Sequence, residues 1–414
     1  MHGTVILCLD CSRSFATTQS NLTTAAVRFL KTPKVHVDKG SIQLKAVITV
    51  TTDLGETFYP DDVDLVATLR ENAQDGEVYL RRKLHWRAGA RSLPVSFSIS
   101  RNDLEWPACV HIAMKTPPVR STGFLAPIVD VWSGDLNPTK GEFEAGHRVE
   151  RRFTSLNERA VSLIEDSGDS IARHLWDGSQ VLAHVIDETI SLQNSLCPLP
   201  LLEYVLVSAT YRRLNVIELG CGCGTVGISL AQSIPDCDVL LTDLPEVTNL
   251  VAANIGRLNP AIDSKVNFHA LDWEAPLPTE VSSRTHDLII VSECTYNTDT
   301  LQPLVNTLTA LTTRSPKAVI VVSTKKRHDS ESAFFDMMAA ADFAQDSSTR
   351  VPLPGIPGTG YADAATNVRL FLFHGKDHRL SLSPRDSEGR VTKTKRPASA
   401  QGGAGESKEL RRGS

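Results

Sequence analysis

Long apolar runs are missing from this 414-residue sequence. No stretch approaches the ~18 consecutive apolar residues that a helix needs to cross a bilayer, which excludes a transmembrane enzyme. An excess of basic residues is missing as well, since 43 Lys and Arg stand against 48 Asp and Glu. Nucleic-acid-binding proteins usually show a basic surface, so we expect no nucleic-acid partner. The opening segment, Met1 to Leu9, lacks the basic start of a secretion signal, and we expect a cytoplasmic protein.

Cysteine is scarce and irregularly spaced, with eight residues in the whole chain. This spacing differs from the paired framework of a small secreted domain and is typical of a reducing compartment. Cys8 and Cys11 form one C-x-x-C pair, but no second pair follows at the distance that a four-ligand zinc site needs. We therefore predict no metal site.

The composition is that of an ordinary globular protein, 41% hydrophobic and 22% charged, and it changes twice along the chain. Residues 1–147 contain short strand-like runs such as Ile42 to Val50, which predict a β-containing N-terminal accessory region. Residues 377–414 are rich in Ser, Gly, Lys and Arg, which predicts a disordered tail. Residues 148–376 lie between them and form the candidate functional domain.

This central region alternates short apolar runs with segments of helical length. The predicted strands are Leu214 to Leu219, Val239 to Leu241, Lys265 to Phe268, Asp287 to Val291, Ala318 to Val322 and Val368 to Phe373. The predicted helices are Thr225 to Ser233, Pro245 to Leu258, Thr300 to Thr313 and Ser330 to Ala341. Nearly unbroken apolar strands are typical of a parallel sheet covered by helices, so the pattern predicts a doubly wound α/β fold.

A glycine-rich turn follows the first predicted strand, with Gly220, Gly222 and Gly224 just before a predicted helix. Glycines let the backbone turn tightly and approach a ligand closely, and the start of a helix offers free N–H groups. Glycines 222, 224 and 227 also fit the dinucleotide fingerprint, so the glycines alone do not distinguish the cofactor. Glu218 precedes them and completes the pattern E-x-G-x-G-x-G.

Acidic residues stand at the ends of the next two strands. Asp243 ends the second strand, where a carboxylate can accept hydrogen bonds from both ribose hydroxyls. NAD enzymes also bind ribose through an acid at this position, so Asp243 indicates a ribose-bearing ligand but does not distinguish NAD from other such cofactors. Asp272 and Trp273 follow the third strand, where an acid can accept from an adenine amino group and an indole can pack on the ring.

The E-x-G-x-G-x-G pattern resembles the first motif of the S-adenosylmethionine-dependent methyltransferases with a seven-stranded sheet. Glu293-x-x-Tyr296, after the fourth strand, resembles the (D/E)-x-x-Y signature of the protein-lysine methyltransferases known as family 16, although many members have Asp at the first position. The segment from Ile171 to Ser179 resembles that family's pre-core segment, whose Trp lines the cofactor pocket. The resemblance covers residues 148–376 and implies a Rossmann-like, mostly parallel seven-stranded sheet with helices on both faces. The cofactor-binding residues that it implies are Trp176, Glu218, Gly220, Gly222, Gly224, Asp243, Asp272 and Trp273.

Three further runs are similar to a fungal branch that methylates a lysine of translation elongation factor 2. They are Glu293 to Asn297, Lys325 to His328, and Ser330 to Phe335. The resemblance implies a protein-lysine N-methyltransferase that uses S-adenosylmethionine and acts on a protein substrate, with a translation elongation factor as the candidate. We expect it to be a monomer. A small-molecule N-methyltransferase and a noncatalytic scaffold that keeps the cofactor site remain alternatives.

Glu293 and Tyr296 are the candidate catalytic residues. Methyl transfer needs the nitrogen, carbon and sulfur on one line, and it needs a neutral amine although free lysine has a pKa of ~10.4. Burial and a polar acceptor both favour the neutral amine, but a carboxylate can also stabilise the ammonium. The two residues therefore either line the acceptor site or support the cofactor. Cys294 has no His partner at motif spacing and is predicted to be a packed thiol, and Lys325 to His328 is interpreted as exposed charge.

Overall fold

The protein is described here from a computed structural model. The structure describes residues 25–38, 40–73, 76–115, 124–167, 171–191, 199–209, 212–327, 329–353 and 367–376. The Cys8 and Cys11 pair and the predicted disordered tail beyond residue 376 lie outside these ranges. Within these ranges, every helix is too short or too polar to span a bilayer.

In the described part of the chain, ten strands precede the first α-helix and form two sheets. They are β1 (Ala25–Asp38), β2 (Ser41–Thr51), β3 (Val63–Arg70), β4 (Val78–Trp86), β5 (Leu93–Ser100), β6 (Cys109–Met114), β7 (Ile128–Val129), β8 (Val131–Trp132), β9 (Arg148–Thr154) and β10 (Ala160–Asp166). The strand orders are β5-β2-β1-β7 and β10-β9-β8-β6-β3-β4. The pairings are antiparallel, apart from the short parallel pair of β1 with β7.

The two sheets share one hydrophobic core and form a β-sandwich. In β5, Phe97 is buried while Ser96 and Ser98 are exposed, which is the alternation expected of a strand with one face in water. Leu44 of β2 and Ile112 of β6 contribute to the same core from opposite sheets. The predicted domain boundary after residue 147 stays a proposal, and β9 and β10, which follow it, pair with the sandwich.

A seven-stranded sheet follows, as predicted. Its strands are β11 (Leu214–Leu219), β12 (Cys237–Asp243), β13 (Lys265–Ala270), β14 (Leu288–Ser292), β15 (Val319–Lys325), β16 (Phe343–Pro352) and β17 (Asn367–Gly375). The order is β13-β12-β11-β14-β15-β17-β16, and β17 runs antiparallel to both of its neighbours. The sequence analysis missed β16 because this edge strand is largely exposed and polar, without the apolar run of a central strand.

Helices cover both faces of this sheet, which confirms the predicted α/β architecture. They are α1 (Asp177–Ile190), α2 (Pro200–Ser208), α3 (Thr225–Ser233), α4 (Thr248–Ile255), α5 (Thr279–Ser282), α6 (Leu301–Arg314) and α7 (Ala333–Ala340). Val281, Leu304 and Phe334 bring α5, α6 and α7 into one core with the sheet. On the opposite face α3 packs on β12, α4 on β13 and α1 on β15.

The strand order creates a crevice at one edge of the sheet. The chain winds outward from β11 to β13, and β14 then returns to the other side of β11. Ligands of open α/β sheets bind beyond the carboxyl ends of the strands, at the point where the strand order reverses. The carboxyl ends of β11 and β14 are therefore where a site is expected.

The sandwich and the sheet belong to one compact unit. Asn254 of α4 joins them, since its side chain accepts from the N–H of Ile164 at 2.7 Å and donates to the carbonyl of Cys223 at 2.9 Å. Asn254 is completely buried, so these bonds fix β10 beside the glycine-rich turn.

Candidate active site

A cavity of about 420 Å³ opens at the expected edge of the sheet. Its volume lies in the range of ~300–1,000 Å³ that is typical of small-molecule sites. Eight of the predicted site residues line it: Trp176, Gly220, Gly222, Asp243, Asp272, Trp273, Glu293 and Tyr296. The structure does not bring Glu218 and Gly224 into the lining.

The glycine-rich turn leaves room for a ligand because its glycines carry no side chains. Gly220 and Gly222 have φ of +65° and +53°, in the left-handed region that favours glycine. A Cβ on Gly220 would lie 2.5 Å from Sγ of Cys294, and one on Gly222 would lie 2.9 Å from the carbonyl oxygen of Ala172. Other residues at these positions would displace the walls of the cavity.

Glu218 lies beneath the turn and not in the cavity. Its Oε2 accepts the N–H of Gly227 at 2.8 Å, so it holds the start of α3 against β11. Burial raises the pKa of Glu218 to about 8. Glu218 therefore stabilises the glycine-rich turn from outside the cavity.

Asp243 faces the cavity from the end of β12. Its two oxygens accept the N–H groups of Gly222 and Leu244, each at 2.7 Å. Burial raises the pKa of Asp243, while these two hydrogen bonds oppose the increase. Each carboxylate oxygen has a second lone pair, so the arrangement leaves acceptors for the hydroxyls of a ribose.

Asp272 and Trp273 form another part of the wall. Asp272 is exposed, and its Oδ1 accepts the N–H of Glu274 at 3.0 Å. Trp273 is partly buried, and its indole N–H has no partner among the described residues. An aromatic face with a free donor beside an acid suits a flat heterocycle such as adenine.

Glu293 is the most constrained residue of the site. Its φ is +57°, a strained value for a residue other than glycine, and its N–H donates to the carbonyl of Ser323 at 2.8 Å. Its Oε1 accepts the N–H of Gly178 at 2.9 Å, and its Oε2 pairs with Arg327. Burial raises the pKa of Glu293, and Arg327 opposes this. Both carboxylate oxygens are thus already engaged by the protein.

Tyr296 lies at the mouth of the cavity and is 53% exposed. Partial burial raises the pKa of its phenol, so the hydroxyl stays protonated and can donate or accept. Cys294, two residues before it, is buried, with Sγ 3.2 Å from the carbonyl oxygen of Ser292 and 3.4 Å from that of Leu219. Burial raises the pKa of this thiol, and the prediction of a packed thiol is confirmed.

A buried ion network behind the cavity was missed by the sequence analysis. Nζ of Lys325 donates to Asp177 at 2.6 Å and to Asp53 at 3.1 Å, and Arg327 donates to Asp53 at 2.9 Å. The Arg327 guanidinium also lies over the ring of Trp176, 5.2 Å from its centroid. Lys325 is only 5% exposed, so its interpretation as exposed charge was wrong. The sequence did hold a signal for this network, because Lys325 ends a strand that is otherwise uncharged and buried, and a buried charge needs a partner.

The donor set of the cavity fits an adenosine-bearing cofactor. Glycines 220 and 222 leave space, Asp243 offers acceptors, and Trp273 offers an aromatic face. Within the described ranges, no group of three or more His, Cys, Asp and Glu side chains is arranged to hold a metal ion.

Comparison with known proteins assigns this site to a family. The sequence profile of the lysine methyltransferases matches residues 155–341, which include β11 to β15 and the loops that line the cavity. A UPF0665 family protein of Schizosaccharomyces pombe is 25% identical over 318 residues, 74% of this chain and 90% of its own length.

Two relatives with named activities are more similar over a shorter region. Protein N-lysine methyltransferase METTL21A of Xenopus tropicalis is 31% identical over 188 residues, 44% of this chain and 75% of that protein. EEF1A lysine methyltransferase 3 of Mus musculus is 31% identical over 194 residues, 44% of this chain and 77% of that protein. Because the matched region contains the glycine-rich turn, Asp243 and the cavity, the chain belongs to the S-adenosylmethionine-dependent lysine methyltransferase family.

Proposed function

We propose that this chain methylates the ε-amino group of a lysine in a translation elongation factor, acting as a monomer in the cytoplasm. The observation that carries the proposal is the open mouth of the cavity beyond β14, where Tyr296 is half exposed. A long, thin side chain can reach the cavity there while its protein remains at the surface. Leu244, which also lines the cavity, is exposed and offers an apolar contact.

The names of relatives support the substrate class. Among them are EEF1A lysine methyltransferase 3 of Xenopus tropicalis and of Mus musculus, which are named for an elongation factor. Elongation factor 2 is our first candidate because the runs 293–297, 325–328 and 330–335 are similar to the branch that modifies it. A different elongation factor would keep the same chemistry.

We propose that Gly220, Gly222, Asp243, Asp272 and Trp273 hold the cofactor, together with Trp176, which lines the same cavity. When bound, S-adenosylmethionine supplies a methyl group on a positively charged sulfur. Asp243 orients the cofactor through its free acceptors, and the glycine-rich turn lets the backbone approach it.

The remaining requirement is a neutral lysine at the mouth. Glu293 is poorly suited to remove the proton, because its carboxylate is paired with Arg327, whose positive charge disfavours protonation of that carboxylate. We propose that Glu293 positions the start of α1 and that the Tyr296 hydroxyl contacts the incoming amine. Partial desolvation at the mouth favours the neutral form, as burial does for any lysine.

The substrate is tested with purified protein, isotopically methyl-labelled cofactor and purified elongation factors 1A and 2, followed by mass spectrometry of labelled peptides. We expect a labelled lysine in one of the two factors. The matched control is Asp243→Ala, which should bind the cofactor poorly and transfer no label. If neither factor is labelled, a lysate replaces them, and label that appears only in its small-molecule fraction would favour the small-molecule alternative.

The role of Glu293 is tested by Glu293→Gln, which keeps the shape of the side chain and removes its charge. If Glu293 positions α1, the rate falls but the pH–rate profile keeps its form. Loss of one limb of that profile would instead make Glu293 the group that accepts the proton. Single-turnover rates between pH 6 and pH 9 measure this directly.

A further inference from the structure

One side chain of the N-terminal sandwich, that of Asp53, reaches the ion network behind the active site. Asp53 lies in the turn after β2, 272 residues before Lys325 in the sequence, and its side chain is only 4% exposed. One oxygen accepts from Lys325 at 3.1 Å and the other from Arg327 at 2.9 Å. Its backbone is held as well, because its carbonyl accepts from Arg28 of β1 at 3.0 Å.

The two cations that Asp53 binds are in contact with the walls of the cavity. Arg327 also pairs with Glu293 and lies over the ring of Trp176, and both of these residues line the cavity. Lys325 also binds Asp177, the first residue of α1. A single side chain, that of Arg327, therefore connects Asp53 to Glu293 and Trp176, and that of Lys325 connects it to the start of α1.

The two cations of this network keep Asp53 ionised. Burial alone would raise the pKa of Asp53, but Lys325 and Arg327 lower it below its usual value, so the carboxylate is ionised. Three carboxylates, those of Asp53, Asp177 and Glu293, surround the two cations. Removal of the Asp53 carboxylate leaves Asp177 and Glu293 to balance the two cations, but it takes away the acceptors that hold both cations in place, so the remaining groups rearrange or admit water.

We propose that Asp53 is a positioning residue for methyl transfer, supplied by the sandwich to hold Arg327 and, through it, Glu293 and Trp176 in place. The sandwich is then a functional part of the catalytic unit. This inference rests on methyl transfer at the site proposed above, but it does not depend on which protein carries the acceptor lysine.

A purely structural role for Asp53 is separated from this one by a matched control. Asp187 of α1 is also buried, at 2% exposure, and also joins the sandwich to a helix of the sheet. Its Oδ2 accepts the N–H of Leu156, in the turn between β9 and β10, at 2.7 Å. Among the described residues, Asp187 forms no hydrogen bond with Asp53, Lys325 or Arg327, so Asp187→Asn removes a buried carboxylate from the junction without touching the network.

The experiment compares Asp53→Asn and Asp187→Asn in the full chain. We expect Asp53→Asn to lower kcat about 10- to 100-fold, the loss typical of a displaced active-site group, with a smaller loss of cofactor affinity through Trp176. Asp187→Asn should keep kcat within about twofold of the wild-type value, even if its Tm falls as far as that of Asp53→Asn. Asp53→Glu, which restores the charge, should recover part of kcat. Equal losses of kcat in Asp53→Asn and Asp187→Asn, or a wild-type kcat in Asp53→Asn, would overturn the proposal.

Two further measurements make the result independent of the substrate. Hydrogen exchange of the Gly178 amide, which is bonded to Glu293, should become faster in Asp53→Asn and stay unchanged in Asp187→Asn. In an Arg327→Lys background, Asp53→Asn should add little to the exchange rate of the Gly178 amide, because both changes break the same path. If the wild-type protein labels neither elongation factor, the substrate proposal fails. Unchanged exchange at Gly178 in Asp53→Asn would then still refute the role of Asp53.

Discussion

The sandwich and the seven-stranded sheet bury their strands in different ways. In β5 the buried Val95 and Phe97 alternate with exposed serines, whereas all five residues of β14 are buried. A sandwich strand has one face in water, but a strand of a doubly wound sheet is covered by helices on both faces. The sandwich is therefore encoded by alternating apolar and polar residues, and the sheet by unbroken apolar runs. The loops that carry the recognisable site residues follow the fully buried strands.

The largest expected effect tests this difference in burial directly. Ile289→Ala and Ile290→Ala change neighbouring residues of β14, both fully buried, and each should lower the free energy of unfolding by about 2–5 kcal/mol. In the sandwich, Phe97→Ala should cost about 3–5 kcal/mol, but its neighbour Ser98→Ala should change stability by less than about 0.5 kcal/mol. Urea unfolding measures all four. An unchanged free energy of unfolding for either isoleucine variant would show that one face of β14 is open to water.

Glycines in left-handed conformations occur in both regions, yet only some border the cavity. Gly220→Ala should weaken cofactor affinity by about 100-fold, since the new Cβ meets Cys294 and adds to a backbone strain of about 1–2 kcal/mol. Gly89→Ala in the sandwich carries similar strain at φ +76°, but nothing lies within 4 Å of its Cβ. Calorimetric titration should find wild-type affinity for Gly89→Ala. Equal losses in both variants would assign the effect to backbone strain alone.

Tyrosines in the two regions provide a smaller contrast. Tyr296→Phe should lower kcat by about two- to tenfold, the equivalent of one hydrogen bond, and leave cofactor affinity nearly unchanged. Tyr79→Phe removes the same hydroxyl from β4 of the sandwich and should behave as wild type. Single-turnover methylation with saturating cofactor is the measurement. A wild-type rate for Tyr296→Phe would remove this hydroxyl from the acceptor site.

The last expected effect is the pH dependence that Glu218 imposes on the stability of the sheet. Its pKa rises from an ordinary 4.5 to about 8 on folding, so the folded state binds more protons than the unfolded state between these values. Stability must then fall as pH rises through this window, by at most about 1.4 kcal/mol per pH unit. Glu218→Gln cannot titrate, so it should gain stability relative to wild type between pH 5 and pH 8. Urea unfolding at three pH values checks this, and a constant difference would contradict it.

Much of the sheet and its site was predictable because the signals are local. The strand at 214–219 and the helix at 225–233 were predicted at their observed limits, since an unbroken apolar run and a glycine-rich turn are both read over a few residues. Seven of the eight predicted site residues that line the cavity lie at or just after the carboxyl end of a strand at this edge, and Trp176 lies just before α1. The edge strand β16 was missed because its exposed residues carry no such signal.

The sequence by itself determined the α/β sheet, the glycine-rich turn and the acidic strand ends, because apolar periodicity and glycine geometry act over short stretches of chain. Only the tertiary structure decided that Glu293 has both oxygens engaged and that Asp53 binds Lys325 and Arg327. Ion pairs between residues more than 270 positions apart leave no periodic trace, since each partner is an ordinary charged residue until the fold buries it beside the other. The physical reason is desolvation, which makes a pairing obligatory only after the sandwich and the sheet have excluded water from the space between them.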